Sequence, residues 1–417
     1  MMSGQLHSAY KSKTNFKSLM IVFLLCSCLV AFCFYLYAAY ISLFCFKQSG
    51  PTNVDYHPPI SILKPLCGID TDAYAKLASF CQQHYPTYQI IFGVREKTDP
   101  AIAIVKQIIQ DFPKIDIQLV IDDRVIGNNL KVSNLANIAP RVRHDFLLIS
   151  DSDIKVGPNY LRQIIQPMQD DQIGLVTCLY RSQATNPVAA FEALSISTDF
   201  HPSVLVARQL GWMKFAMGSS ILMRRSVLKA MGGFGAIADY LADDFMLGNL
   251  TAKLGFKVTL SDYVVDHTLE TATFIDLVEH QTRWNRCTRA SNFSGYLGLF
   301  FSHGVALSLG VLALSQGAIW SWGVFGLILA ARLLMAWAVG IRCLKDSVAT
   351  QLLWLVPIRD LLSFGLWVYG LIGDRIVWRG QEFRLLWGGK LVRATQTSTV
   401  SVVPMIQQKE VEQSRAS

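Results

Sequence analysis

Phe146-Leu-Leu-Ile-Ser-Asp-Ser-Asp153 joins an apolar run to two carboxylates spaced one residue apart. A buried strand of this kind delivers both acids at its carboxyl end. Side chains two apart on an extended chain share a face, so Asp151 and Asp153 point the same way. In open α/β sheets ligands gather at that end of the strands. Two carboxylates there fit a hard divalent cation, Mg or Mn, that also takes phosphate oxygens. They fit equally a polar turn whose Asp caps a helix starting near Pro158.

Working outward, residues 60–63, 89–94, 117–121 and 146–149 read as short β-prone strands, with helical patterns over 74–84 and 100–111 between them. That alternation predicts βαβ units and an α/β domain with a mostly parallel sheet, whose sites cluster at one edge. The domain extends over 48–294. It is bracketed by segments of another kind, for the 417-residue chain is 52% hydrophobic and only 16% charged, too apolar for an ordinary soluble protein.

Residues 19–46 carry no charge and exceed the about 20 residues of a spanning helix, so they read as a retained transmembrane anchor behind a short tail, 1–18. Region 295–373 reads as carboxyl-terminal membrane helices: spans at 297–314 and 320–339, then a third segment, 352–372, interrupted by Arg359 and Asp360. Charges at mid-membrane are costly unless paired. That segment is therefore expected to re-enter or to lie at the interface. Arg342 and Lys345 precede it, and Arg375, Arg379, Arg384, Lys390 and Arg393 follow. The positive-inside rule makes both flanks cytoplasmic, whereas Lys11, Lys13 and Lys17 ahead of the anchor pull the other way. Nine cysteines without a CxxC pair suit a reducing compartment. Residues 374–417 read as a basic cytosolic segment and a disordered tail from Thr395. A net charge of +8 without a nucleic-acid-binding signature points to anionic headgroups and a diphosphate, with no nucleic acid partner.

Further residues have two readings each. Asp243-Asp244 opens a helical run to Leu254, either as capping acids or as a general base, Asp244, with a carboxylate neighbour. Lys131 is a phosphate partner or a surface lysine. In His280-Gln-Thr-Arg283-Trp284, Arg283 suits a diphosphate and Trp284 a sugar or lipid face, or the pair anchors at the membrane interface.

The order of Asp99, Asp151-Ser-Asp153, Asp243-Asp244 and Arg283-Trp284 resembles the family-2/21-type glycosyltransferases of GT-A fold (nucleotide-diphospho-sugar transferases). Their pattern is an early Asp, a DxD, an acidic pair ending in the base, and (Gln/Arg)-x-x-Arg-Trp. Ile62-Leu-Lys-Pro-Leu-Cys-Gly68, Phe92-Gly-Val-Arg95, Lys131-Val-Ser-Asn-Leu135, His201-Pro202 and Trp378-Arg-Gly-Gln-Glu-Phe-Arg-Leu385 bring it close to the ceramide glucosyltransferase and hopanoid-biosynthesis-associated branches, across 59–391. The resemblance implies that Asp99, Lys131, Asp151 and Asp153 bind the nucleotide-sugar and that Asp153, with Asp151, holds the metal. It further implies that Asp244 is the catalytic base, and that His280, Arg283, Trp284, Asp243 and His201 serve the diphosphate or acceptor. His280 departs from the family's Gln or Arg, so any charge there depends on pH.

The implied protein is an inverting enzyme in the bacterial inner membrane with its catalytic domain in the cytoplasm. It would move one sugar from a UDP-sugar to a lipid hydroxyl, N-acetylglucosamine to bacteriohopanetetrol ahead of glucose to ceramide. A processive polysaccharide synthase and an inactive lipid-binding scaffold are the rivals.

Overall fold

The structure, a computed structural model, describes residues 2–46, 55–378 and 380–393. Gln48 at the expected domain start, Arg379 and the tail from Thr395 lie outside the described residues, as do the side chains of Lys11 and Lys13.

Eight strands form one sheet in the order β3-β2-β1-β4-β7-β6-β8-β5. They are β1 (Ile60–Pro65), β2 (Tyr88–Val94), β3 (Asp116–Ile121), β4 (Phe146–Ile149), β5 (Ile154–Lys155), β6 (Ile173–Ala184), β7 (Ile221–Arg224) and β8 (Lys257–Leu269). β1 pairs in parallel with β2 and β4, β2 with β3, and β6 with β8. Strands β7 and β5 run against the rest, so the sheet is mixed, six strands one way and two the other. Every residue of β1, β2 and β4 is buried, as a strand covered on both faces requires. Register sets Leu63 beside Ile149. Lys64 of β1 therefore ends next to Ser150 and the two acids.

Three helices are long and apolar enough to cross a membrane: Phe16–Cys45, Ile319–Cys343 and Ser347–Gly370. Helix already begins at Met2, so the expected amino-terminal tail continues the anchor. The expected span over 297–314 is built of two pieces, Phe293–Ser302 and Gly304–Leu314, bent by 60°. The helix that covers 352–372 has both ends tied to the catalytic domain. Ser197 Oγ donates to Asp346 just ahead of it, and Arg286 and Arg289 donate to the carbonyls of Leu371, Ile372 and Gly373 just behind it.

The buried charges inside these apolar helices are hydrogen-bonded. Arg332 donates to Asp360 at 2.7 Å and to Asp199 of the catalytic domain, and lies over the Tyr35 ring of the anchor. Arg359 donates to Ser195 and Ser363, and Ser363 donates to Asp199. Arg332, Arg359 and Asp360 are 1%, 0% and 5% exposed, and none faces lipid. This closed cluster welds three helices to the domain.

Beyond it, the stretch expected as a basic segment folds as an antiparallel sheet of β9 (Arg375–Trp378), β10 (Gln381–Leu385) and β11 (Leu391–Arg393). It clasps the loop ahead of Asp243: Leu391 N–H donates to Asp239 O at 2.6 Å, and Leu241 N–H to Gly389 O at 3.4 Å.

Candidate active site

The site forms where β1 and β4 end. Asp151 leaves β4 and pairs through Oδ1 with Lys131 Nζ at 2.6 Å. Lys131 stands on the first turn of helix Leu130–Ile138, whose N-cap, Asn129, accepts from the N–H groups of Lys131 and Val132 and donates to Tyr240 O. The cap thus fixes the lysine and the loop leading to the acidic pair together. The same Nζ lies 3.3 Å from Asp243 Oδ2. Asp244 opens helix Asp243–Lys253, accepting from its neighbour's N–H at Phe245 and from Gly218 N–H at 2.9 Å.

Gly218 is where these groups converge. A Cβ there would stand 3.0 Å from Asp151 Oδ2, 3.4 Å from Lys131 Nζ and 3.5 Å from Asp244 Oδ2. Only a glycine lets these groups meet in so small a hollow. Asp151, Lys131, Asp243 and Asp244, read separately in the sequence, are brought into one cluster.

Asp153 faces His267 of β8, with Nε2 to Oδ2 at 3.4 Å, and its Oδ1 is buried without a hydrogen-bond partner. His267 is held from its other side by Ser182. Lys64, wholly buried, donates to Asp151 O and Ser150 Oγ and sits over the Phe80 ring. Neither His267 nor Lys64 was singled out from sequence. Lys64 lies inside the quoted 62–68 motif, and a lysine within a buried strand was the signal available; His267 had none beyond its place in an apolar alternation.

The electrostatics follow from four carboxylates facing two lysines. Burial, then Asp243 beside it, pushes Asp244 up to about 6. Burial pushes Asp151 up against the pull of Lys131. In Asp153 burial acts upward too, but His267, Lys64 and Lys131 prevail and hold it below the usual carboxylate range. Burial lowers Lys64 to about 7. In Lys131 the lowering by burial is outweighed by Asp151 and Asp243, which raise it.

This excess of negative charge fits a divalent cation. The unpartnered Asp153 Oδ1 and the Gly218 hollow are two observations that agree with one. Among the described residues no group of three or more His, Cys, Asp or Glu is ready to hold a metal. Donor phosphate oxygens would have to complete the shell, as hard cations accept.

Asp99 accepts from Ala101 N–H at the start of helix Ala101–Asp111 and from Gly68 N–H, both at 2.9 Å, so each of its oxygens has a backbone partner. His280 and Trp284 pack with tilted rings, centroids 4.3 Å apart, on helix Phe274–Ser291, which also carries Arg283. His201 is not brought to the cleft surface: it is fully buried, bonded to Tyr180 O at 2.6 Å, and burial lowers it to about 3.

Comparison with known proteins agrees with this architecture. The model of the family described as Glycosyl transferase family 21 matches residues 23–391. Ceramide glucosyltransferase 1 of Caenorhabditis elegans is 25% identical over 347 residues, covering 80% of this chain and 73% of that protein. Ceramide glucosyltransferase 3 of the same organism is 24% identical over 351 residues, covering 80% and 74%. The solved structure of the mannosyltransferase PcManGT from Pyrobaculum calidifontis, in complex with GDP-Man and Mn2+, shares the fold with a TM-score of 0.52 at 17% identity, covering 85% of this chain and 99% of that one.

Proposed function

The chain belongs to glycosyl transferase family 21, and from that premise we propose that it moves a single sugar from a UDP-sugar to a lipid hydroxyl with inversion. The observation that carries this reading is the convergence of Asp151, Lys131 and Asp244 on Gly218, which sets a basic group and a raised carboxylate within one cluster. Asp244 takes the proton of the attacking hydroxyl. That oxygen bonds to the anomeric carbon as the bond to the UDP oxygen breaks. A base poised near 6 is ionised at neutral pH yet still accepts a proton. Lys131 and Arg283 would hold the departing diphosphate. Asp153 and Asp151 would hold the divalent cation, Mg or Mn, which supplies charge neutralisation on the leaving group.

The apolar helices beside the catalytic domain support a lipid acceptor drawn from the bilayer. Our reading puts that bilayer in the bacterial inner membrane with the site in the cytoplasm. Motif resemblance favours bacteriohopanetetrol with N-acetylglucosamine. The ceramide glucosyltransferases among the relatives favour ceramide with glucose as the second reading.

Incubating the purified full chain with UDP-N-acetylglucosamine or UDP-glucose and each lipid, then weighing the products by mass spectrometry, separates these. A hexosamine-bearing hopanoid is expected. Glycosylated ceramide alone overturns the acceptor, polymer overturns single transfer, and no turnover with any pair overturns the enzyme reading.

A further inference from the structure

The first half of β8 lies away from the acidic cluster. Against β6, Thr177 pairs with Leu260 and Leu179 with Val264, so Ser261, Asp262 and Tyr263 stand opposite Cys178 alone. A bulge of this kind bends the strand and re-aims its side chains. Asp262 there meets Arg208 of helix His201–Gln209, Oδ1 to Nη2 at 3.5 Å. Beside this pair opens a cavity of about 290 Å³, whose lining includes Gln163, Gln166, Arg208, Thr259, Ser261 and Asp262. His267, which faces Asp153, stands five residues farther along β8, on the order of 15 Å.

Two membrane-length helices end next to this cavity. Arg208 lies over the ring of Phe46, 5.3 Å from its centroid, directly after the helix Phe16–Cys45. Residues Ile41–Cys45 pack in turn against Trp337–Cys343, where the helix Ile319–Cys343 stops. Just past Arg208, Leu210 and Trp212 are 40% and 68% exposed, as residues that anchor at a membrane surface are. The cavity therefore sits at headgroup depth.

Its charges select the ligand. A guanidinium is a fork of N–H donors that suits phosphate oxygens, whereas Asp262 beside it discourages a ligand that carries negative charge alone. A zwitterion satisfies both. The volume, about 290 Å³, lies at the lower end of small-molecule sites, enough for a headgroup whose acyl chains stay in the bilayer. We propose that this cavity binds the headgroup of a zwitterionic phospholipid, with the phosphate on Arg208 and a primary ammonium on Asp262. The lipid held there is distinct from the acceptor served by the acidic cluster.

The test is native mass spectrometry of the full chain in detergent, titrated with dioleoyl-phosphatidylethanolamine, dioleoyl-phosphatidylcholine and dioleoylglycerol. Wild type is expected to hold phosphatidylethanolamine most tightly and dioleoylglycerol least. Phosphatidylcholine should fall between them, because its quaternary nitrogen has no proton to donate. Arg208→Gln is expected to weaken both phospholipids about tenfold, the scale of one charge-assisted hydrogen bond. Asp262→Asn is expected to erase the preference for ethanolamine over choline while melting like wild type. Wild type that binds all three lipids equally overturns the proposal, as does a folded Arg208→Gln variant with unchanged phospholipid affinity. Should Arg208→Gln fail to fold, an ethanolamine preference that survives Asp262→Asn overturns it instead. Free phosphoethanolamine bound as tightly as the whole lipid overturns the bilayer as the source.

Discussion

Two clusters of carboxylates and cations lie in this molecule, one in the basin below β4 and one at the seam between the apolar helices and the catalytic domain. In the basin the acids outnumber the lysines, and the groups converge on a glycine. At the seam two arginines meet two aspartates, Arg332 and Arg359 against Asp199 and Asp360, and the exposed edge is Asp199 alone, whose side chain is 31% accessible. Balanced and closed charges hold pieces together; unbalanced charges around a hollow wait for something to bind. The same residue types thus do opposite work.

Substituting one acid in each place pulls the comparison apart most strongly. Asp244→Asn is expected to cut transfer by about 10²–10⁴-fold, the range for a lost general base, while UDP affinity remains. Its melting temperature at pH 7 should hold or rise. A carboxylate whose folded pKa lies above its unfolded value favours the fold at low pH and loses that contribution as pH climbs through about 6, so removing the charge removes a cost at neutrality. A lowered melting temperature with transfer intact would put Asp244 among the structural acids. At the seam the pattern inverts. Arg332→Ala, read by thermal denaturation in detergent, should destabilise by about 3–5 kcal/mol because Asp360 is left buried and unpaired. Replacing both partners with apolar residues should restore most of the loss.

Smaller effects sharpen the basin's side of the contrast. Gly218→Ala fills the hollow, and overpacking of about 1–3 kcal/mol should fall on donor binding more than on the fold, as a raised Kd for UDP with little change in melting. The rate should drop about tenfold per pH unit below 6 as Asp244 takes up its proton. Asp243→Asn, which removes the neighbour that helps lift it, should slide that limb to lower pH. A pH profile flat from 5 to 7 would refute the assignment of Asp244 as base.

How much of this was legible in the chain depends on distance along it. β1 to β4 announce themselves because each is a short β-prone run, and Asp151 is read from the strand that ends beside it. The helix at Asp243 and the one at Phe274, with its Thr273–Asp276 capping box, carry local start signals. Strands β6, β7 and β8 went unread: β7 has four residues, and β8 mixes charged and apolar positions over thirteen. Glu192 and His280 meet across 88 positions, and Asp153 finds His267 only through the pairing of β5 with β8. Such partners are products of crossover topology, which no local periodicity encodes. The apolar segments were legible by length, yet their geometry was not. Whether a hydrophobic run bends, as at His303, or returns to the domain, as after Gly370, is decided by the side chains it meets.

The clasp of β11 and the β10–β11 turn on Asp239 and Leu241 has a consequence for biosynthesis. The loop carrying the acidic pair is made before the strand that braces it, which follows the apolar helices 319–343 and 347–370 along the chain. A nascent chain holding all four carboxylates therefore still lacks the strand that braces the loop ahead of Asp243. The acidic cluster thus gains its last brace only after the helices 319–343 and 347–370 have been made.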